Sequence, residues 1–488
     1  MKTRPLRHRP LRAFLANSLL CALALSPTPA GAQLAHYWGN HFGNESVLLN
    51  GAVIGSVTDA GAVFYNPARL IHQEAPSFVA SAKLYEWSSV RVKDGLGEGR
   101  DIDQSRFGGA PGFLVGTFTL PFLEDHHFAY GIMTRHRANV SFLLREEEVG
   151  DVVPSLPGDD AFVGTVDFQT NFKDDWMGLS WAYALGEDFS IGATAFYFER
   201  SFTRLASLDL QAIGADLDVA ALEVERSYSV RDKGLVGKLG AAWRRGAWSV
   251  GVTTTLPYWT LSSKGSIRYE NFGVGLTDST GAPVDNFLES TVQGGRLMEW
   301  KTPWAFGGGA GWSTGAWQFH ASTEYYAAVP PHLLVESSDT VLGQSTGEPI
   351  DYSVIEERAA VLNGGAGVRW TGPNELSAFA SVVANQSAAP DSVVRFTELQ
   401  PTVSHTSQQM DFVLLGGGVS FHTKWADLTL GATWQASTER QPRATSDSIR
   451  PRGVDDEEFS TLKIDEWRFL LGFSIPFVDS LPGIGTGG

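Results

Sequence analysis

The sequence WRFLLGFSIPF at residues 467–477 alternates two kinds of side chain. Every second residue is large and apolar, namely Trp467, Phe469, Leu471, Phe473, Ile475 and Phe477. The residues between them are Arg468, Leu470, Gly472, Ser474 and Pro476. A period of two residues puts the two sets on opposite faces of a β-strand. The length of this segment matches a tilted strand that crosses an outer membrane, which needs about 9–11 residues.

The same alternation recurs at residues 177–185, 248–258 and 428–434. In each segment one face is mainly apolar and the other is small or polar. A β-sandwich also alternates, but its strands usually have about 5–6 residues and its outer face carries more charge. The pattern therefore favours a membrane barrel.

The series of strands and joins supports the same fold class. The joins after the even-numbered predicted strands are short, whereas most joins after the odd-numbered ones are long, as is typical of a barrel with its short turns in the periplasm. Tryptophans near strand ends suit an interfacial girdle; they are Trp243, Trp248, Trp304, Trp312, Trp317 and Trp370. We predict an all-β fold, a transmembrane antiparallel β-barrel of about 14 strands. The predicted strands are 77–92, 108–121, 127–144, 172–185, 189–208, 221–244, 247–263, 301–313, 317–328, 357–371, 375–385, 410–422, 426–438 and 461–477.

Residues 1–32 have the layout of a secretory signal peptide, with a basic start, an apolar stretch and Ala-Gly-Ala before Gln33. The apolar part is shorter than the roughly 20 residues that a spanning helix needs. We interpret Cys21, the single cysteine, as an apolar residue of this signal. The exported chain then contains no thiol and no disulfide. Residues 478–488 are predicted to be a C-terminal tail.

The composition excludes several classes of protein. The net charge is −17, and the exported chain is more negative still, because the predicted signal contains basic residues and no acidic ones. This acidity argues against a nucleic acid partner. No later segment offers about 18 consecutive apolar residues, which excludes a helical membrane protein.

Residues 33–76 precede the first predicted strand and do not alternate. Their central part, GAVIGSVTDAGAVFYNPARL at residues 51–70, is rich in small residues. Thr58 and Asp59 are candidate helix caps, and Asn66-Pro67 restricts the backbone. We predict short helical turns that pack closely together. The alternative is that Asn66-Pro67 only starts a turn before the first strand.

This segment resembles that of the FadL family of outer-membrane transporters of hydrophobic compounds. Members carry an Asn-Pro-Ala motif, which Asn66, Pro67 and Ala68 match. Residues 301–309, KTPWAFGGG, are similar to the family's Thr-Pro-aromatic strand with following glycines. The resemblance implies that residues 33–76 form a hatch inside a fourteen-stranded barrel, built here from residues 77–477.

The resemblance also implies a ligand route from an outer groove to a pocket and then sideways through a kinked third strand. Gly131 and Asn139 are the candidate kinks in that strand, although a strand glycine equally often serves wall packing. Three aromatic residues ahead of the motif either line the pocket or pack against the wall: Tyr37, Trp38 and Phe42.

The sequence gives less support to catalysis. One strand face carries Gln318, His320, Ser322 and Glu324, but strand neighbours two apart have Cα atoms about 6.5 Å apart. A polar lumen wall explains these residues better than a hydrolase does. We therefore predict no enzyme.

The charged residues on the predicted strands and in one predicted loop each allow two interpretations. Two pairs of residues are each predicted to share one face of a strand, towards the lumen; they are Arg135 with Arg137 and Lys238 with Arg244. They either bind a ligand carboxylate or pair with acids of the lumen. The acidic run at residues 455–458 either binds calcium or is a solvated face. We assign no metal and no cofactor.

Two functions compete. The favoured one is passive uptake of hydrophobic small molecules, such as long-chain fatty acids or aromatic hydrocarbons, across the bacterial outer membrane. The rival is a scaffold in surface attachment or secretion, while an open porin is disfavoured by the hatch. An apolar pocket beside the hatch would favour uptake, and a solid polar wall would favour the scaffold. We expect outer-membrane lipids as surroundings and a monomer.

Overall fold

The structure is a computed structural model, and thirteen ranges of the 488-residue chain are described. The predicted signal peptide, the acidic run at 455–458 and the tail at 478–488 lie outside them. The described residues are 35–73, 77–93, 102–120, 122–150, 155–156, 158–277, 282–338, 352–373, 376–390, 403–404, 410–423, 426–442 and 459–476.

Two short helices precede a long series of strands. Helix α1 is Ala62–Tyr65, and a 3-10 helix follows at Pro67–His72. The strands are β1 Ser77–Lys93, β2 Ile102–Leu120, β3 Leu123–Gly150, β4 Asp160–Leu185, β5 Phe189–Gly214, β6 Val219–Arg245, β7 Trp248–Thr255, β8 Trp259–Val274, β9 Phe287–Arg296, β10 Ala305–Thr314, β11 Trp317–Tyr326, β12 Val329–Val335, β13 Val354–Arg358, β14 Val361–Thr371, β15 Leu376–Asn385, β16 Val403–Ser404, β17 Phe412–His422, β18 Asp427–Pro442 and β19 Phe459–Pro476.

The main sheet closes into a barrel. It has sixteen strands, and β5 pairs with β6 to join its two ends. Strands β7 and β8 lie end to end along β6, and β9 and β10 lie end to end along that composite strand. Each end-to-end pair is one crossing of the wall, so the barrel has fourteen crossings. The predicted antiparallel fourteen-stranded barrel is confirmed.

The side chains of the barrel alternate as the sequence predicts. On β19, Trp467 and Phe469 are exposed, whereas Arg468 and Leu470 are buried. The exposed set continues around the outer surface, where Trp248 stacks near Trp312. This outward apolar band is what a lipid-facing wall requires. Among the described residues, no helix is long and apolar enough to span a membrane.

Four strands are much longer than a membrane crossing, and three of them, β3 to β5, also exceed their sequence-based bounds by six residues or more. Strands β3 to β6 contain 28, 26, 26 and 27 residues. A membrane crossing needs only about 9–11 residues, so these strands extend well beyond the apolar band. The predicted bounds, such as 172–185 for β4, covered mainly the membrane part because the outer part is polar.

The predicted continuous strand at residues 247–263 is interrupted. β7 ends at Thr255 and β8 begins at Trp259, with Pro257 between them. Proline has no N–H to donate to the ladder, and the alternation shifts at this break. Tyr258, predicted on the apolar outer face with Trp248, instead lines a cavity inside the barrel.

Three strands form a second, smaller sheet. β12 pairs with β13, which pairs with the two residues of β16. The buried residues Leu334, Val335 and Val354 of this sheet pack in one cluster with Trp300. The sequence-based prediction placed β12 and most of β13 in a loop at residues 329–356, and it joined the end of β13 to the predicted strand 357–371.

Candidate functional site

The N-terminal segment, residues 35–73, packs against the inward side of the barrel strands. Its buried apolar residues form one cluster with wall residues such as Phe113, Trp176 and Phe379. Its hydrogen bonds reach strands all around the sheet, from Arg468 of β19, which donates to the Gly39 carbonyl, to Thr194 of β5, which donates to the Val63 carbonyl. The segment is therefore fixed to the inner wall at many points.

The motif Asn66-Pro67-Ala68 lies at the contact between this segment and the wall. Asn66 is fully buried, and its Nδ2 donates to the Ile54 carbonyl at 2.9 Å and to the Ala241 carbonyl of β6 at 3.2 Å. Its Oδ1 accepts from the Ala68 amide at 3.2 Å, which caps the 3-10 helix that Pro67 begins. Ser190 of β5 donates to the Ala68 carbonyl at 2.8 Å.

Asp59 organises the turn that precedes α1. Its carboxylate accepts from the amides of Asn44, Glu45 and Ser46 at 2.8–2.9 Å, and from the Ser46 hydroxyl at 2.7 Å. Burial raises the pKa of the Asp59 carboxyl above its ordinary value, although the hydrogen bonds from Ser46 oppose the rise. Asp59 was a candidate helix cap, but its carboxylate bonds the turn at residues 44–46 instead of capping α1. The N-cap of α1 is Gly61, which has no side-chain cap bond.

The polar stripe on β11 contacts the N-terminal segment. His320 Nδ1 lies 2.7 Å from the Ser56 hydroxyl, and Ser322 Oγ accepts from the Ile54 amide at 2.9 Å. Glu324 accepts from Trp38 Nε1 at 2.8 Å. Because each of the three bonds a different partner in the segment, they hold the segment to the wall and do not form a nucleophile–base chain.

A cavity of about 80 Å³ lies between the N-terminal segment and strands β3 to β11. It is smaller than the roughly 150 Å³ of an apolar cavity that holds benzene, so a ligand of that size enters only when lining side chains move. Seven of the lining residues are aromatic carbocycles or indoles: Tyr37, Phe64, Phe172, Trp176, Tyr258, Trp300 and Tyr326.

Buried ion pairs surround these rings. Arg200 donates to Asp174 at 2.9 Å, and its guanidinium lies over the Trp300 ring at 4.4 Å. Lys238 lies 3.6 Å from Glu324. The predicted pairing of Lys238 with an acidic residue of the lumen is therefore present. That Lys238 binds a ligand carboxylate stays a prediction.

Arg135 differs from these pairs. It is buried, it lies 5.0 Å from the centre of the Phe64 ring, and its Nη2 donates to the Tyr37 carbonyl. Its Nη1 has no hydrogen-bond partner, and no carboxylate of the described residues lies within ion-pair distance of Arg135. The predicted pairing of Arg135 with Arg137 on one face is wrong, because Arg135 is an extra residue in the register between β3 and β4, which turns the exposed Arg137 to the other face.

The three predicted pocket residues lie in different surroundings. Tyr37 lines the cavity and stacks on Tyr326, with ring centroids 4.0 Å apart. Trp38 is buried beside Glu324, and Phe42 packs against Phe64 with ring centroids 4.8 Å apart. Neither of these two is among the residues that line the cavity.

Sequence reasoning missed most of the cavity. Phe172, Trp176 and Arg200 lie on β4 and β5, where the alternation shows which face they share but not what they meet across the barrel. A signal was present on β5, where Phe196, Phe198 and Phe202 are buried on the inner face, unlike the small or polar inner residues of other strands.

The wall is unpaired between the outer parts of β2 and β3. Their ladder ends at Phe113 opposite Met133, beyond which β2 pairs with β1 and β3 pairs with β4. Gly131 lies within the regular ladder and contacts Val115, while the register shift follows at Arg135. Asn139 lies in the unpaired part and is exposed, and its carbonyl accepts from Arg106.

No group of histidines, cysteines and carboxylates that could hold a metal occurs in the described part of the chain. No family model and no curated relative matches the sequence. A closed fourteen-stranded sheet with an aromatic cavity inside its wall defines the architecture as that of a large antiparallel β-barrel.

Solved structures identify the fold more closely. The P. putida toluene transporter TodX matches with a TM-score of 0.54 and 12% identity, over 90% of this chain and 99% of that one. A Pseudomonas aeruginosa FadL homologue matches with 0.54 and 11%, over 91% and 100%. The CymD monoaromatic hydrocarbon channel matches with 0.53 and 12%, over 90% and 98%. The chain has the FadL-type fold, as the sequence resemblance implied.

Proposed function

We propose that this protein is an outer-membrane channel for the passive uptake of hydrophobic small molecules that contain an aromatic ring or a long acyl chain. The observation that carries the proposal is the cavity lined by seven aromatic rings between the N-terminal segment and the barrel wall. Ring-lined pockets with a few polar groups are typical of small-molecule sites. Two of the similar structures, a toluene transporter and a monoaromatic hydrocarbon channel, support the same substrate class.

In this proposal the N-terminal segment acts as a hatch. Its residues 35–73 are almost entirely buried, and its small residues approach the backbone of the wall closely, as Gly55 does at Gly309. Asn66 and Pro67 fix its shape, because the asparagine bonds both the segment and β6. In this proposal the tightly packed segment closes the aqueous path through the barrel at the level of the motif.

The unpaired stretch between β2 and β3 is the proposed lateral exit. It begins where Phe113 and Met133 end the ladder, and both residues are buried in the cluster that contains Phe42 and Phe64. A hydrophobic ligand that leaves the cavity here passes along apolar side chains into the membrane and avoids water.

The outward apolar band supports insertion in the outer membrane with lipids around it. A scaffold role receives no comparable support. A scaffold was expected to have a solid polar wall, whereas an aromatic cavity is present. We expect the exported protein to fractionate with the outer membrane and to show the heat-modifiable gel mobility of intact barrels.

The test is uptake by whole cells of a strain that lacks other channels of this class. Cells that produce the protein should take up radiolabelled toluene or oleate faster than cells with the empty vector. A matched control is the exposed substitution Arg137→Gln, which should leave uptake unchanged because Arg137 faces away from the cavity. Equal uptake of both compounds with and without the protein would refute the proposal.

A further inference from the structure

Three neighbouring strands of the barrel wall are interrupted at one level. Thr255, Ala305 and Tyr326 lie side by side in the ladder, as Ala305 pairs with both of the others. Immediately beyond this row each strand breaks, at residues 256–258, 297–304 and 327–328. Two of the breaks contain a proline, a residue that cannot donate to a ladder; these are Pro257 and Pro303, and Pro330 lies two residues after the third break.

The two middle strands separate at this level. Beyond Thr255 opposite Ala305, the next ladder pair between them is Gly265 opposite Arg296. The stretch between is bridged by side chains, since Thr302 Oγ1 accepts from the Tyr258 amide at 2.9 Å and Ser263 Oγ donates to the Met298 carbonyl at 3.0 Å. Between these two strands the wall is therefore held together by side-chain bonds, whereas backbone bonds from the Ala327 amide to Trp304 and from the Glu299 amide to Leu334 continue on the other side of the break.

A cavity of about 450 Å³ occupies this break. Its lining includes Trp259, Met298 and Trp304, and it also includes Tyr258, Trp300, Thr302 and Pro303. The last four also line the inner aromatic cavity. These four residues therefore lie between the two cavities and line both of them. Movement of their side chains would join the two cavities.

The break lies near one edge of the apolar band. Trp259 and Trp304 are exposed on the outer surface beside it. Trp304, which immediately precedes β10, and Trp312 on β10 are eight residues apart in the sequence, about 26 Å along a strand at about 3.3 Å per residue. At the usual barrel tilt this spans most of an apolar band about 25 Å tall. Since Trp312 lies beside the short turn at Gly315, Trp304 marks the outer edge.

We infer that this break is a second lateral port, through which hydrophobic small molecules pass between the outer half of the membrane and the inner aromatic cavity. The inference rests on the proposed function and adds a route to it. The port lies five crossings around the barrel from the unpaired stretch between β2 and β3. An aromatic compound dissolved in the membrane would meet Trp259 and Trp304 first and then the ring of Trp300 inside.

The test uses two alanines, one in the wall strand β11 and one in the break that follows it. Ala328 lines the port, whereas Ala321 is exposed on the paired wall below it. The only native cysteine, Cys21, lies in the predicted signal peptide, so Ala328→Cys and Ala321→Cys each introduce one thiol into the exported chain. Cells that produce either variant are treated with pyrene maleimide, and the initial rate of radiolabelled toluene uptake is measured before and after treatment.

The adduct at position 328 should lower the uptake rate several-fold, and the adduct at position 321 should leave it unchanged. Equal rates for the two labelled variants, with uptake by the wild type intact, would overturn the port alone. Absence of toluene uptake by the wild type would overturn the port, and absence of oleate uptake as well would overturn the proposed function with it.

A second readout does not depend on transport. A nitroxide attached to each cysteine is examined in phosphatidylcholine nanodiscs with and without toluene. Toluene that enters the port should slow the nitroxide at position 328 relative to that at position 321. Equal responses at both positions, or a lipid acyl chain that copurifies and keeps toluene from the nitroxide at position 328, would overturn the port in favour of a closed wall or a fixed lipid site.

Discussion

Gly55 of the N-terminal segment and Gly309 of β10 touch backbone to backbone. A Cβ on Gly55 would collide with the Gly309 carbonyl, and a Cβ on Gly309 would lie 2.8 Å from the Gly55 amide nitrogen. A backbone group in a barrel ladder cannot move aside without breaking its pairing. Glycine at position 55 is therefore a condition for seating the segment against the wall.

The substitution Gly55→Val should displace the N-terminal segment while the barrel remains closed. Overpacking of this kind costs about 1–3 kcal/mol, and the ladder of β10 with β7 and β11 does not depend on Gly55. We expect larger single-channel conductance in planar bilayers and unchanged heat-modifiable mobility. Gly308→Val is the matched control, because a Cβ at Gly308 meets no atom. Wild-type conductance in the Gly55→Val protein would contradict the close-contact argument.

Asn66 offers a graded test of the hatch. Asn66→Asp keeps the oxygen that accepts from Ala68 but loses the Nδ2 donor to Ile54 and Ala241, and Asn66→Ala loses all three bonds. Each buried group left without a partner costs about 1–3 kcal/mol. Protease cleavage within residues 33–76 should therefore become faster from wild type to either variant, and pulse proteolysis measures it. Equal cleavage rates would show that the motif does not stabilise the segment.

The sequence alone predicted the barrel well and its irregularities poorly. The period of two residues shows which side chains lie on the same face of a strand. The two faces of β19 and the outer tryptophans were therefore predicted correctly. Pro257 was counted within a strand although its missing N–H breaks the ladder. The shift that follows carried Tyr258 from the predicted outer face to the inner cavity.

The site was harder to predict for a related reason. The cavity joins Phe64 of the segment to residues of β4, β5 and the stretch before β10, far apart in the sequence. Closure of a sheet decides which inward faces meet, and no local pattern records it. The bulge at Arg135 is a single extra residue in the register of β3, and it places Arg137 on the opposite face. No proline or glycine at this position indicates the bulge in the sequence.

Arg135 should select for ligands that carry a carboxylate. Its Nη1 is buried without a hydrogen-bond partner beside the cavity, and a hydrogen bond to a charged group contributes about 1.5–3 kcal/mol. Arg135→Gln should therefore lower oleate uptake by about tenfold or more while toluene uptake changes little. Paired uptake assays measure the ratio of the two compounds. A variant that loses both activities equally would assign Arg135 a structural role instead.

The small sheet should loosen as the pH rises. His332 of β12 lies 3.5 Å from Glu356 of β13, which also pairs with Arg358 at 2.6 Å. Burial lowers the pKa of the His332 imidazole, but the hydrogen bond and charge of Glu356 outweigh it and the net pKa is raised. A raised histidine pKa stabilises the folded form below the ordinary value of about 6.5 and loses that contribution as the pH rises through the raised value.

Protease cleavage at β12 and β13 should accordingly increase as the pH rises above the ordinary histidine range. The comparison is made against His332→Gln, whose cleavage should lack this pH step because glutamine does not titrate. A pH step of equal size in both proteins would attribute the change to another group, or to the protease itself.

Removal of residues 33–70 should convert the protein into an open pore. The barrel closes through strand pairs alone, from β1 with β19 to β5 with β6, so its insertion does not need the N-terminal segment. The segment contributes buried side chains to the inner cluster and bonds to the polar stripe of β11. Without it those polar groups face water, and ions can cross. Planar-bilayer conductance of the deletion variant should exceed that of the full-length protein, with heat-modifiable mobility as the control for folding. If the folded deletion variant conducts no more than the full-length protein, the N-terminal segment is not a hatch, and the proposed route through the barrel loses its main support.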